Sequence, residues 1–368
     1  MSLARDIVDR IFWPDRDVHA IPVLDGGFSP NQRLETCERL GDFIAPDALA
    51  AGPDGRLYVS SVNTVFACHG DQFQSREVFT TVETTAGALA WSPDGMLLLA
   101  VADRGLVALD RSGTVVARVA EAAGAPIRCP TAVAAASDGT IFLTDGSSHN
   151  GPEQWLPDLM QNREGSGRLI SLAPDLRDAK VIADELSWPA GIVVSHDERE
   201  VLVTEAWKHC LSAVSRANGR VRVIVKNFAG YPWRLARAAR GDYWACFFAL
   251  RTQLTEFVLR EQPFRERMMK TVPPSLWIGP TLGGQFDYRE PTQIGRIKKL
   301  GIQKPWAPPR SYGLVARLAE GGDAVESLHS RVSGNVHGVT AAIEFGGRLL
   351  VVSKGHGKLM AAQLGSPS

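Results

Sequence analysis

Three residues that could carry out chemistry at a carbonyl group stand near comparable places in a repeated sequence phrase. They are Asp47 in APDALA, Arg234 in YPWRLA and His337 in NVHGVT. A carboxylate or an imidazole can act as a general acid or base, and a guanidinium can stabilise an oxyanion. The sequence therefore predicts a catalytic group of Asp47, His337 and Arg234. A plain buried salt bridge between Asp47 and Arg234 is the alternative interpretation.

Five further residues beside the same phrase are candidates for substrate binding: Thr131, His149, Trp207, Trp233 and Glu205. The two tryptophans could form the walls of an apolar pocket, with core packing as the alternative for both. His149 follows an apolar run on a polar loop. Glu205 has a second interpretation, in which its carboxylate braces neighbouring loops.

The phrase that carries these residues is proline, a short apolar run, a tight turn and a second apolar run. It is clearest at 130–148, PTAVAAASDGTIFLTDGSS, and it recurs at 46–61, 86–101, 189–205, 232–248 and 337–353. Self-similarity at a spacing of roughly 40 residues indicates a repeat architecture. An Asp-Gly or Gly-Gly turn between two apolar runs predicts a β-hairpin in each copy.

Alternating runs between these hairpins, such as RGLVALDRSGTVVARVA at 104–120, predict a second hairpin for each repeat. Six units of four strands predict an all-β fold, a six-bladed β-propeller over 41–368. Residues 1–40 are expected to form a short N-terminal helix and a strand that closes the ring with the C-terminus. Loops that enter and leave the innermost strands of a propeller converge on one channel mouth, where a pocket can form.

The last gap between repeats is about 105 residues long, which predicts an insertion at about 251–311 between blades five and six. Its first part has the pattern of a helix interrupted at Pro263, and its second part is rich in Pro, Gly and Trp. A segment of this length is typical of a lid or of a contact surface in a homo-oligomer. A surface excursion without either role is the alternative.

Composition excludes several classes of function. The 368 residues carry no formal net charge, so no basic surface for nucleic acid is expected. Five scattered cysteines without a CxxC pair argue against a zinc site and a disulfide framework. No apolar stretch is long enough for a membrane span and the N-terminus lacks a secretory pattern, which predicts a cytoplasmic protein. No phosphate loop, HExxH motif or nucleophile elbow is present.

Three phrases resemble the strictosidine synthase-like branch of the six-bladed propellers. They are SWPAGIVVSHDEREVLVTEAW, FAGYPWRLARAARGDYWA and the stretch from SYGLVARL to SKGHGKL. The resemblance covers roughly residues 40–364. It implies membership of the wider superfamily that includes paraoxonase and the senescence marker protein–gluconolactonase group, and a small-molecule substrate.

The lactonases of that superfamily hold a divalent cation at the channel floor with carboxylate and asparagine side chains, and the resemblance locates the matching positions. Asp47 matches the acid of the first blade. Thr131 and Ala190 stand where asparagines are expected, and Trp233 with Arg234 replaces an Asp-Asn pair. Since Ca²⁺ prefers six or more oxygen ligands, we expect no metal cofactor here, with Ca²⁺ as the alternative.

The catalytic glutamate of strictosidine synthase aligns with Thr340, so its condensation chemistry is not expected to carry over. The sequence predicts a metal-independent small-molecule enzyme that hydrolyses a lactone or an ester at the channel mouth. Metal-free cyclisation, condensation or isomerisation is the first alternative. A non-catalytic binding or scaffold propeller with a decayed metal site is the second.

Overall fold

The chain forms six four-stranded antiparallel sheets, arranged as the blades of a β-propeller in the computed structural model. The structure describes residues 21–161, 165–283 and 311–364, and the backbone of 298–299 and 302–303. The predicted six-bladed all-β architecture is confirmed. The predicted N-terminal helix and most of the second half of the insertion lie outside the described residues.

Each blade runs outward from the channel in four strands. Blade one consists of Pro46–Ala51, Leu57–Ser61, Thr64–His69 and Ser75–Thr81. Blade two consists of Ala86–Trp91, Leu97–Val101, Gly105–Leu109 and Val115–Val119. Blade three consists of Pro130–Ala135, Ile141–Asp145, Gly167–Leu172 and Lys180–Leu186. Blade four consists of Pro189–Val194, Glu200–Glu205, Cys210–Ser215 and Val221–Val225. Blade five consists of Gly230–Arg237, Tyr243–Leu250, Gly313–Leu318 and Ala324–Ser330.

The sixth blade closes the ring by combining both ends of the chain. Its three inner strands are Val339–Phe345, Arg348–Ser353 and Lys358–Gln363, and its outermost strand is Glu38–Asp42. The closing pair is antiparallel and aligns Glu38 with Ala361. The ring is therefore held by a sheet between segments that are more than 300 residues apart in sequence.

The hydrophobic core is divided into layers between neighbouring blades rather than gathered at one centre. Each of the six interfaces has its own cluster of buried side chains. Between blades six and one, for example, Leu350 and Val352 pack with Leu57, Val59 and Leu359. Buried aliphatic and β-branched residues on both faces of each sheet produce these layers.

Two excursions leave the blades and pack together over blade five. A 3₁₀ turn, Pro152–Gln154, leads into helix α1, Trp155–Gln161, and the long insertion contributes α2, Gln253–Arg260, and α3, Gln262–Thr271. The hydroxyl of Thr252 accepts a hydrogen bond from the Thr255 amide and caps α2. Side chains from α1, α2 and α3 share one cluster with Phe248 of blade five.

The position of the long insertion differs from the prediction. It leaves after the second strand of blade five and returns at the third, so it lies inside that blade and not between blades five and six. The repeat phrase marks only inner hairpins, and its spacing does not tell whether extra residues come before or after an outer hairpin. The predicted helix break at Pro263 is observed, since α2 ends just before it and α3 begins beside it.

The remaining elements are small. The described part of the chain has three further 3₁₀ turns, at Gly26–Phe28, Arg33–Thr36 and Pro274–Leu276. It also has two short hairpins, in which Glu121–Ala122 pairs with Ala125–Pro126 and Lys298–Lys299 pairs with Ile302–Gln303. Within the described ranges, no helix has the length and apolar character that crossing a membrane requires.

The layered core predicts that burial at a blade interface decides the cost of a small truncation. Val352 is fully buried between blades six and one, whereas Val116 on the outer strand of blade two is 53% exposed. We expect Val352→Ala to lower the free energy of unfolding by about 2 kcal/mol, because it removes buried methyl groups and leaves a cavity. The matched control Val116→Ala should change it by less than about 0.5 kcal/mol. Urea denaturation of both variants measures the difference, and equal costs would contradict the layered core.

Candidate functional site

A β-bulge stands at the same place in the innermost strand of every blade. The register with the second strand shifts at six equivalent steps: Pro46/Ala48, Ala86/Leu89, Pro130/Ala132, Pro189/Gly191, Pro232/Leu235 and Val339/Ala341. A bulge re-aims the side chain of the extra residue. The residues at these steps, rather than whole loops, therefore determine what lines the channel mouth.

The bulges surround a cavity of about 590 Å³, including its open mouth. The residues that line it come from blades one to six and from the two excursions: Asp47, Thr85, Gly87, Ala102, Pro130, Thr131, Pro152, Glu153, Trp155, Trp188, Trp233, Arg234, Phe248, Leu282, Thr340 and Lys354.

The floor of the cavity is a carboxylate held between two cations. Arg234 donates to a carboxylate oxygen of Asp47 and, from Nη1, to the Asp47 backbone oxygen at 2.9 Å. Lys354 donates from Nζ to the other carboxylate oxygen, Oδ1, at 2.8 Å. Arg234 also donates to the carbonyl of Thr131 at 3.3 Å. The Asp47–Arg234–Lys354 cluster thus connects blades one, five and six across the channel.

The two cations set the charge state of Asp47. Burial alone would raise the pKa of this carboxyl, but the charges and hydrogen bonds of Arg234 and Lys354 together hold its pKa well below the usual range. Asp47 is therefore ionised at neutral pH and both of its oxygens are occupied. Two positive groups against one negative group leave the floor with one excess positive charge.

Four hydrogen-bonding atoms that belong to residues lining the cavity are buried and have no partner among the described residues. They are the indole nitrogens of Trp188 and Trp233, Nε of Arg234 and the hydroxyl of Thr340. The first three are donors only, and the hydroxyl can donate. A buried donor without an acceptor is costly, so this set suits a ligand that brings acceptor oxygens.

Aromatic side chains form the walls above this floor. Trp155 and Trp233 both pack edge-on against Phe248, with ring centroids 5.1 and 5.0 Å apart. Trp188 stacks on Trp207 with centroids 5.2 Å apart and an angle of 29° between the rings. The walls are consequently apolar and flat, while the floor is polar and cationic.

Helix α1 is fixed over the cavity by one carboxylate. Asp158 accepts hydrogen bonds from Ser147 Oγ at 2.7 Å, Asn150 Nδ2 at 2.8 Å and Trp207 Nε1 at 2.8 Å. This network ties the excursion to blades three and four and brings Trp155 to the wall. Glu153, at the start of the same excursion, lies at the rim and accepts from the hydroxyl of Thr85.

Blade four holds the strand that carries Arg234 at close range. A Cβ atom at Gly191 would stand 2.3 Å from the carbonyl oxygen of Trp233 and 2.6 Å from Cα of Arg234, so only glycine permits this approach. Thr204 also donates to the Trp233 carbonyl at 2.6 Å. Below this level a second cavity of about 370 Å³ is lined by small and aliphatic side chains such as Ala48, and Arg234 contributes to its lining as well.

The structure brings four of the predicted site residues to the cavity and leaves His337 outside its lining. Asp47, Arg234, Thr131 and Trp233 all line it. The bulge of blade six lies at Val339/Ala341, which makes Thr340 the counterpart of Asp47. His337 is buried three residues earlier, where its ring bonds Ser311 Oγ and the Arg331 carbonyl, each at 2.8 Å. Blade six has no proline at the start of its inner strand, which is why the sequence pattern indicated His337 instead of Thr340.

The other three predicted residues also lie away from the cavity lining. His149 is exposed on the loop before α1. Trp207 stands behind Trp188 and supports the wall. Glu205 is buried and accepts from the Ser187 amide at 3.0 Å and from Ser212 Oγ at 2.8 Å, which is the loop-bracing alternative.

Several lining residues were not among the predicted site residues. Lys354 follows the second strand of blade six and Phe248 stands in the second strand of blade five, so the repeat pattern could have indicated both. Trp188 directly precedes the proline of blade four. Trp155 and Glu153 belong to an excursion without a repeat counterpart, and no signal in the repeats locates them.

The donor set of the site does not fit a divalent cation. Only Asp47 offers a carboxylate at the floor, both of its oxygens are bound to cations, and the guanidinium of Arg234 would repel a metal ion. No group of three His, Cys, Asp or Glu side chains suited to a metal is found among the described residues.

Burial raises the pKa of all five cysteine thiols, to about 11 at Cys37 and Cys68, so none is a thiolate at neutral pH.

Comparisons with known proteins agree with the fold and with the resemblance seen in the sequence. A family model described as strictosidine synthase matches residues 132–214, and one described as strictosidine synthase-like, N-terminal, matches residues 26–63. The protein strictosidine synthase-like 6 of Arabidopsis thaliana is 27% identical over 157 residues, 42% of each chain. The chain thus spans about half the length, or less, of the strictosidine synthase-like relatives that it matches.

Longer matches come from other relatives and from solved structures. The adipocyte plasma membrane-associated protein of Bos taurus is 24% identical over 90% of this chain and 79% of its own. A gluconolactonase from Xanthomonas campestris superposes with a TM-score of 0.58 at 15% identity, over 88% of both chains. A calcium-binding regucalcin from Agrobacterium tumefaciens gives 0.55 at 13% identity, over 88% and 92%. At these identities the structures support the fold alone.

The lowered pKa of Asp47 predicts how stability responds to acid. A carboxyl with a lower pKa in the folded state stabilises the fold above its unfolded pKa of about 3.9, and this contribution is lost as pH falls through the folded value. Between pH 5 and pH 3 the wild type should therefore lose more unfolding free energy than Asp47→Asn. At pH 7 the variant should be less stable by about 3 kcal/mol, because two cations lose their buried partner.

Urea denaturation across this pH range tests the expectation. The matched control is Asp71→Asn, an exposed position that should keep the wild-type pH profile. An Asp47→Asn profile parallel to that of the wild type would contradict the role assigned to the ion cluster.

Proposed function

We propose that this strictosidine synthase-like six-bladed β-propeller is a small-molecule enzyme that hydrolyses an ester or a lactone at the mouth of its central channel. The observation that supports it best is the floor of the cavity. Arg234 and Lys354 leave one excess positive charge there, beside the unpaired donors of Trp233 and Thr340. Fixed donors and charge in a partly dehydrated site stabilise the negative oxygen that develops when a carbonyl carbon is attacked.

The aromatic walls favour a substrate with an apolar, flat body. Such a body would lie between Trp155 and Trp233 and would direct its carbonyl oxygen to the floor. The burial of this apolar surface would supply binding energy, while the donors supply orientation. The acyl group and the leaving group would both face the open mouth.

Glu153 is the residue proposed to move the proton. Asp47 is excluded from this role because its oxygens are held by Arg234 and Lys354 and its pKa is well below the usual range. Glu153 lines the cavity and has no ion pair among the described residues. Its carboxylate would take a proton from the attacking water as the new C–O bond forms, and would return it to the leaving oxygen as the ester C–O bond breaks.

The proposed reaction uses no divalent cation, since the floor presents cations where a metal ion would need oxygen ligands. A cytoplasmic location belongs to the same proposal and is supported by five cysteines that all remain free thiols. The contact between copies of the chain through 251–311 stays a prediction.

A non-catalytic binding protein is the second candidate. It is favoured by the lowered pKa of Asp47, which keeps this carboxylate ionised at neutral pH and so removes it as a proton carrier. In that case Glu153 would have no kinetic role, and the donors would serve binding alone.

Steady-state hydrolysis of a panel of aryl esters and aromatic lactones separates these candidates. Glu153→Gln should lower kcat/KM by about 100-fold or more, because the variant keeps the shape of the side chain but not its basic oxygen. The matched control is Glu121→Gln, an exposed glutamate away from the cavity, which should retain full activity.

Absence of hydrolysis across the panel, or full activity in Glu153→Gln, would remove the proposed mechanism.

A further inference from the structure

We infer that the floor of the cavity is a binding site for a carboxylate group carried on a planar aromatic body. The inference rests on the same cavity as the proposed function and names the chemistry of its ligand. It follows from which hydrogen-bonding groups are satisfied within the fold and which are left over.

The floor of the cavity carries an excess positive charge. Asp47 neutralises one of the two cations that touch it, and the side chains of all three residues are largely buried, with exposures of 9%, 13% and 25% for Asp47, Arg234 and Lys354. An excess positive charge in such surroundings is weakly screened by water and salt. It favours an anionic group over a neutral group of the same shape.

The residues around this charge also have hydrogen-bond donors without acceptors. Arg234, Trp233 and Thr340 line this cavity, and each has a buried donor (Nε, Nε1 and Oγ1) with no partner among the described residues. Thr340 itself is only 1% exposed. A carboxylate accepts at about four lone-pair sites and can occupy several donors at once, whereas a neutral amide brings only one acceptor oxygen.

The aromatic walls of the cavity indicate the shape of the rest of the ligand. Trp155, Trp188, Trp233 and Phe248 present aromatic surface around the floor, which suits a flat apolar body and not a small hydrated ion. Among the described residues, Glu153 is the one other carboxylate in the lining, and it lies at the rim, so an anionic ligand must direct its charge inward. A carboxylate is also the product of ester or lactone hydrolysis, which connects this site with the proposed reaction.

Equilibrium binding of three probes tests the inference without relying on activity. Isothermal titration calorimetry should show that 2-naphthoate binds about tenfold tighter or more than 2-naphthamide, its neutral counterpart. Inorganic phosphate should not displace it at equal concentration. The preference for the carboxylate should fall to less than about threefold in Lys354→Met, which removes a charge while Arg234 still pairs with Asp47.

Two further variants complete the design. Lys180→Met, at an exposed lysine on the outer strand of blade three, should keep the wild-type preference. Thr340→Val keeps the shape of the side chain, removes one donor and should weaken 2-naphthoate more than 2-naphthamide. It provides the test if Lys354→Met does not fold.

The outcomes distinguish this inference from the proposed function. Equal affinity for the two naphthyl probes, no binding of either, displacement by phosphate, or a preference that survives both Lys354→Met and Thr340→Val would overturn the carboxylate site. Binding of 2-naphthoate without hydrolysis of any ester would keep the site and remove the hydrolase. Hydrolysis of an ester without a preference for 2-naphthoate over 2-naphthamide would keep the hydrolase and remove the carboxylate site.

Discussion

The contact on which the site depends is the carboxylate of Asp47 held between Arg234 and Lys354. These three residues come from blades one, five and six, so the cluster fixes the inner strands relative to one another at the channel mouth. A buried ion cluster of this kind is not a strong source of stability, because desolvation offsets much of the attraction. Its effect is to specify the geometry and the charge of the floor. Both carboxylate oxygens of Asp47 already accept hydrogen bonds within the cluster, so nearby donors such as Nε of Arg234 have no acceptor among the described residues.

The same cluster determines the sign of the charge at the floor of the cavity. The bulges aim one or two residues of each blade at the channel, whereas the layered core lies between the blades. With Arg234 at the bulge of blade five and Lys354 beside blade six, the positive charges come from the protein itself. The ligand that fits is then expected to be an anion or a polarised carbonyl, where a metal site would have required oxygen ligands.

The repeat phrase was sufficient to predict the fold because each copy combines local turn chemistry with apolar patterning, and both are properties of short segments. It also located Asp47, Thr131, Trp233 and Arg234, since all of them follow or nearly follow a proline. It failed for His337 because blade six has no proline at the start of its inner strand, so nothing in the sequence marks Val339 as the counterpart of Pro46. Residues such as Trp155 and Glu153 were beyond reach, since only the tertiary contacts of Asp158 bring their excursion to the cavity.

The guanidinium of Arg234 contributes to the lining of two cavities along the central channel, the aromatic one above and the small-residue one below. Asp47 holds this charged side chain in place, so a ligand in the upper cavity and a ligand in the lower one would both feel the charge of the same guanidinium. An anion bound above would therefore lower the positive potential in the space below, although the two ligands need not touch.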